Sequence, residues 1–210
     1  MPSLLHISVS ARHGASYSRQ VGQQLVDRLA ATRPDLEIVR RDLVADPVPH
    51  PSETFAKAVL MPIESHGPAE TAALTLSETL IEELEQAALL VIDTPIHNFT
   101  VPSALKAWID QVVRIRRTFT STPQGKVGLL ADRPVYVVIA CGGMFEGPAA
   151  QEDFFSPYMR YVLACIGLTS VNILRMEGLA RQRSLKPLEE AEPWIAARLT
   201  EATANATGAG

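Results

Sequence analysis

From end to end the chain alternates short, apolar, β-prone runs with stripes of apolar residues at helical spacing, and this alternation restricts the fold more than any other feature. The runs are Leu4–Ser10, Leu36–Leu43, Ala88–Asp93, Pro134–Cys141 and Val171–Met176. Between them stand the stripes Val21, Leu25, Val26, Leu29; then Leu76, Leu80, Ile81, Leu84; then Leu105, Trp108, Ile109, Val112, Val113, with Pro102 expected in the first turn of that helix. A further helix is expected over Tyr158–Ile166 and a last one near Leu188–Leu199. Continuous apolar strands separated by helices imply a parallel sheet buried on both faces, a three-layer α/β sandwich with right-handed crossovers. Five strands in this alternation suit the doubly wound order 2-1-3-4-5. At 210 residues the chain reads as one domain over 1–201, with 202–210 as a disordered tail. Residues 45–68 carry five prolines and read as loop, with at most a short helix around Glu53–Val59.

Composition narrows the function by exclusion. A net charge of −4 gives no electrostatic reason to bind nucleic acid or an anionic membrane. The start, Met1-Pro2-Ser3-Leu4-Leu5-His6, lacks the basic and apolar regions of a signal peptide, and no apolar run is long enough to cross a membrane. Cys141 and Cys165 have no metal-ligand spacing and read as reduced, part-buried thiols. The expectation is a cytoplasmic protein without a metal site.

In a doubly wound sheet, ligands bind beyond the carboxyl ends of the strands, where the strand order reverses. The loops to inspect are therefore 10–18, 94–101 and 141–148. The first supplies Ser10, Ser16, Ser18 and a helix start, whose hydroxyls and N–H groups suit a phosphate, although Ser16 or Ser18 could serve only as an N-cap. Neither GxGxxG nor GxxxxGK[ST] is present, which disfavours a dinucleotide fingerprint and a P-loop. The second loop, Pro95-Ile96-His97-Asn98-Phe99-Thr100-Val101-Pro102, is stiffened by two prolines. Asn98 has a donor and an acceptor for the edge of a flavin, and Phe99 could wall a pocket for a planar molecule; the plain alternatives are a turn asparagine and a surface His97. The third loop, Ala140-Cys141-Gly142-Gly143-Met144-Phe145, has paired glycines that allow close backbone approach, or merely end a strand.

Taken together these loops resemble the FMN-dependent NADH-azoreductases, relatives of the flavodoxin-like NAD(P)H:quinone oxidoreductases. The strongest stretch is Asn98-Phe99-Thr100-Val101-Pro102-Ser103-Ala104-Leu105-Lys106-Ala107-Trp108-Ile109-Asp110, followed by Arg117-Thr118-Phe119 and Gly125-Lys126-Val127-Gly128-Leu129-Leu130. Ser10, Ser16-x-Ser18, Gly142-Gly143, Ser156-Pro157-Tyr158 and Glu177-Gly178 also match, so the resemblance spans roughly residues 4–180. It implies a flavodoxin-like fold, a homodimer, and one FMN per subunit. It also implies a ping-pong reaction in which NADH or NADPH gives hydride to flavin N5 and a quinone or azo compound then takes the electrons. No side-chain nucleophile is required, because the cofactor carries the chemistry. Ser10, Ser16, Tyr17 and Ser18 would hold the phosphate and ribityl end. Pro95, Ile96, His97, Asn98 and Phe99 would hold the isoalloxazine, with His97 and Phe99 as substrate contacts. Ala140, Cys141, Gly142 and Gly143 would close the pyrimidine side. The chain departs from the family at His97, often Tyr; at Ala140 and Cys141, often a hydroxyl residue and Arg; and at Ser121, often aromatic, a change expected to widen or flatten the substrate pocket.

Two other classes compete. A flavodoxin-like electron carrier would share the fold and the phosphate loop, but it leaves the aromatic and proline-bearing segment 95–130 without a purpose. A hydrolase or transferase using Ser10 or Cys141 would need an adjacent base, for which His6 and His13 are the nearby residues in sequence.

Overall fold

All five apolar runs become strands of one parallel sheet, in a computed structural model that describes residues 2–180 and 186–207. They are β1 (Ser3–Ser8), β2 (Glu37–Asp42), β3 (Ala87–Pro95), β6 (Val135–Ala140) and β7 (Val171–Met176), side by side in the order β2-β1-β3-β6-β7. A separate antiparallel pair, β4 (Phe119–Thr122) and β5 (Gly125–Gly128), interrupts the numbering. With that hairpin set aside, the order is the doubly wound one expected from sequence. The hairpin strands are short, largely exposed and poor in apolar residues, so no burial pattern announced them as strands.

The helices are α1 (Tyr17–Thr32), α2 (Glu53–Leu60), α3 (Pro68–Gln86), α4 (Ser103–Val112), α5 (Phe155–Cys165) and α6 (Lys186–Thr207). Alternation along each strand splits the core in two. Leu5, Ile7, Leu90, Ile92 and Val137 face α3, α4 and α5, where Leu80, Trp108, Phe155 and Met159 are buried. Leu4, Leu89, Val91, Tyr136 and Val138 face α1 and α6, where Val21, Leu25, Leu29 and Ile195 are buried. Two boundaries differ from expectation. Pro102 is the N-cap of α4 rather than part of its first turn. The last helix runs beyond Leu199 to Thr207, because Ala, Thr and Glu in that stretch can extend an existing helix without an apolar stripe of their own.

Two contacts fix the hairpin. At Gly128 an added Cβ would lie 2.1 Å from the backbone N of Gly167, so the two glycines allow chain-to-chain contact at the turn before β7. Arg116, whose φ is +64°, donates through Nη2 to the carbonyls of Val59, Leu60 and Met61 at the end of α2.

Register positions the candidate site. Ser8 pairs with Asp93, Pro95 with Ala140, and Ala140 with Met176, so the strands end along one line. The loops after β1, β3, β6 and β7 therefore leave the sheet at a common rim.

Candidate active site

The three inspected loops meet in one cleft of about 210 Å³ at that rim. It lies beyond β1, β3 and β6, where the chain reverses its winding direction about β1. One end is hydroxylated, with Ser10 and Ser16 beside the first turn of α1; the other is apolar, with Pro95, Ile96 and Leu179.

At the hydroxyl end the geometry is set by short local bonds. Ser16 is the N-cap of α1, its Oγ accepting from the Arg19 N–H at 3.4 Å and lying 3.1 Å from Ser18 Oγ. The capping reading of Ser16 therefore holds, and it is compatible with a place in the cleft. Ser18 is fully buried and backs Ser16 rather than lining the cleft. Arg19 ties the loop down: its Nε donates to the Ser10 carbonyl at 2.7 Å, and its guanidinium makes a bidentate pair with Asp42 at 2.8 Å for both bonds. The donated hydrogen bonds of Arg19 hold the Asp42 carboxyl down to about 2.

The second loop is a tight turn. His97 and Thr100 exchange backbone hydrogen bonds at 3.0 and 3.1 Å, and the residues between them, Asn98 and Phe99, have φ of +47° and +74°. Positive φ at both central positions is the type I′ arrangement, easy for Asn and costly for Phe. Phe99 is 59% exposed. A strained residue that also shows a bare aromatic face to solvent indicates a functional rather than a stabilising position. Pro95, Ile96 and His97 line the cleft, while Asn98 and Phe99 stand at the tip of the turn outside it.

The third loop is held by side chains. Cys141 is buried, lines the cleft, and its Sγ accepts from Gln151 Nε2 at 3.2 Å. Ala140 and Gly142 line the cleft; Gly143 does not, and a Cβ there would sit 2.6 Å from Gln151 Oε1. The loop after β7 braces this wall: the Gly178 N–H donates to the Gly143 carbonyl at 2.8 Å, the Leu179 N–H to the Cys141 carbonyl at 3.1 Å, and Glu177 Oε2 accepts from the Phe145 N–H at 2.8 Å.

The family described by its flavodoxin-like fold matches residues 2–199. The chain belongs to this flavodoxin-like family. A relative from Cupriavidus pinatubonensis named FMN-dependent NADH:quinone oxidoreductase 2 is 58% identical over 182 residues, 86% of this chain and 88% of that one. One from Pseudomonas fluorescens named FMN-dependent NADH:quinone oxidoreductase 4 is 46% identical over 180 residues, 85% of each chain. Among solved structures, an FMN-dependent NADH-azoreductase from Bacillus anthracis in complex with FMN superposes with a TM-score of 0.84 at 23% identity, covering 97% of this chain and 100% of that one. At that identity the likeness concerns the fold.

Within the flavodoxin-like cleft, sequence reasoning missed Arg12, Ala15 and Leu179. Arg12 had a signal, a cation set between Ser10 and Ser16, and Leu179 directly follows the Glu177-Gly178 pair. Ser121, by contrast, stands on β4 and does not line the cleft.

The nucleophile reading finds no support in the geometry. The cleft partner of Cys141 is an amide, and His6 is engaged elsewhere. Its Nδ1 lies 2.9 Å from Arg40 Nη1, which can only donate, so Nε2 carries the proton and donates to Asp93 Oδ2 at 2.7 Å. Ser8 donates to the same carboxylate oxygen at 2.6 Å. This buried trio lies on the α1 face of β1 and β3, and its hydroxyl is directed at an acid rather than at a base.

Proposed function

We propose that this chain is an FMN-dependent oxidoreductase that uses NADH to reduce quinones and azo compounds. The observation that carries the reading is the convergence of the loops after β1, β3 and β6 on one cleft whose two ends differ in chemistry. The donor set fits FMN. Hydroxyls and the α1 N-terminus suit a phosphate, Pro95 and Ile96 suit a flat apolar ring, and the Cys141–Gly142 backbone can approach the ring edge closely. FMN bound there supplies the two-electron carrier between NADH and the acceptor.

The chain's own residues then have distinct tasks. Ser10 and Ser16, with Tyr17 on the first turn of α1, hold the phosphate and ribityl end, and the buried Ser18 backs Ser16. Pro95, Ile96 and His97 support the ring. Asn98 and Phe99, at the turn tip outside the cleft, offer an exposed ring against which an aromatic acceptor would stack. Ala140, Cys141 and Gly142 close the pyrimidine side, and Gly143, Gln151 and Glu177 fix that wall from behind. Phe99, Leu60 and Ile63 are large exposed apolar residues at 59%, 72% and 72% exposure, and they support a homodimer that covers them. No helix among the described residues is long and apolar enough to cross a membrane, and we place the enzyme in the cytoplasm.

The deciding measurement is an absorbance titration of purified protein with FMN, followed by NADH oxidation with and without a quinone. Expected are a flavoprotein spectrum and turnover that needs both FMN and quinone. Protein that stays colourless through the titration, or passes electrons only to a protein partner, refutes the reading.

A further inference from the structure

We propose that Arg12 reads the charge of the bound flavin: its guanidinium pairs with the phosphate of FMN and sets the cleft's preference for FMN over riboflavin. This rests on the FMN reading above and adds a residue that the sequence resemblance does not assign.

The first observation is charge. Of the described residues lining the cleft, Arg12 is the one with a permanently charged side chain, and it sits at the hydroxyl end beside Ser10 and Ser16. A phosphate monoester carries about −1.5 to −2 at neutral pH. Serine hydroxyls are neutral, and a helix N-terminus offers only about half a charge. Without Arg12, most of the ligand's charge would go unanswered at this end.

The second observation is availability. The Arg12 backbone is fixed, its N–H donating to Ser10 Oγ at 3.3 Å, while its side chain is exposed and forms no hydrogen bond or ion pair with any described residue. Arg19, the neighbouring cation, is different: both of its guanidinium ends are spent on Asp42, and its Nε on the Ser10 carbonyl. The field of the fully buried Asp93 also reaches Arg19. Arg19 thus shapes the loop and brings no net charge to the cleft, whereas Arg12 brings one. A planar guanidinium offers paired donors that match two phosphate oxygens at once.

The test is fluorescence titration of the flavin-free full-length protein with FMN and, separately, with riboflavin, for wild type, Arg12→Ala and Arg12→Lys, at low and raised salt. Arg12→Ala should weaken FMN binding by about tenfold and leave riboflavin binding and melting temperature unchanged. Arg12→Lys should recover part of the loss, and the salt dependence of FMN binding should flatten in Arg12→Ala. Unchanged FMN affinity in Arg12→Ala overturns the inference while leaving the FMN reading intact. So does an equal loss for both flavins, which would make Arg12 structural, or a loss confined to the KM for NADH, which would give the cation to the reductant's phosphates. A wild-type protein that binds neither flavin overturns the FMN reading itself.

Discussion

Asp132 and Arg12 are both exposed charges on loops of the central sheet, one before the amino end of β6 and one after the carboxyl end of β1, and their surroundings differ sharply. Asp132 accepts from the Thr169 N–H at 2.8 Å, the Ser170 N–H at 3.1 Å and both hydroxyls of that pair. Beside it, Arg133 donates to the carbonyls of Leu84, Ala87 and Ala131. Arg12 has no such audience. At the amino end of β6 the protein satisfies Asp132 and Arg133 with its own polar groups, and nearby Gly128 and Gly167 pack backbone on backbone. At the carboxyl ends it keeps a strained turn, a bare phenyl ring and an unspent cation. The unengaged cation and the strained, exposed ring both stand at the carboxyl ends, where the cleft lies.

This contrast breaks if changes at the amino ends alter ligand affinity as much as stability. Gly128→Ala should have the largest effect, since the new Cβ would lie 2.1 Å from Gly167 N and neither backbone can yield cheaply. A loss of about 3 kcal/mol in denaturant unfolding is expected, with the FMN dissociation constant of the folded fraction unchanged. Asp132→Asn should cost about 1–2 kcal/mol. Burial opposes its charge, but the donors from Thr169 and Ser170 prevail and hold its carboxyl well below the usual value of 3.8. A depressed folded value means that the stabilisation is present above the unfolded value and is lost as pH falls toward the folded one. The difference in melting temperature between wild type and Asp132→Asn should therefore hold steady above about pH 5 and shrink as pH falls below the unfolded value of 3.8; a constant difference would contradict this account.

At the carboxyl ends the expectations reverse. Phe99→Gly removes the positive-φ strain at that position and should stabilise by about 1 kcal/mol or less, while lowering kcat/KM for quinones. A stable variant with full quinone activity would remove Phe99 from the substrate's path. His97→Ala should have the smallest effect on folding, within about 0.5 kcal/mol. If its steady-state rates match wild type across about pH 5 to 8, then only the His97 backbone serves the site.

Much of this division was legible in the residues. The alternation of runs and stripes specifies five parallel strands and their order, and the bounds Val171–Met176 match β7 although this edge strand carries Asn172 and an exposed Arg175 and is only partly buried. Loop convergence follows from that order, which brings Ser10, Ser16, Ile96 and Cys141 to one rim. The β4–β5 hairpin was not found as strands, because two exposed four-residue strands leave no apolar signature. Arg12 escaped because its place between Ser10 and Ser16 marks the loop without showing whether the side chain faces a cleft or bulk water. The closeness of Gly128 and Gly167 depends on distant segments meeting, which no local pattern encodes.

The three carbonyls held by Arg116 have a mechanical consequence. The end of α2 and the turn leading into β4 are stapled together, and at the same open end of that hairpin Gly128, opposite Phe119, is packed against the chain before β7. The proline-rich stretch preceding α2 looks like the easiest place in the molecule to lengthen or trim. That stretch is instead tethered on both sides of α2, by Gln111 donating to the Pro49 carbonyl and by Arg116 at Val59–Met61, so drift in this surface segment is leashed to residues more than fifty positions away.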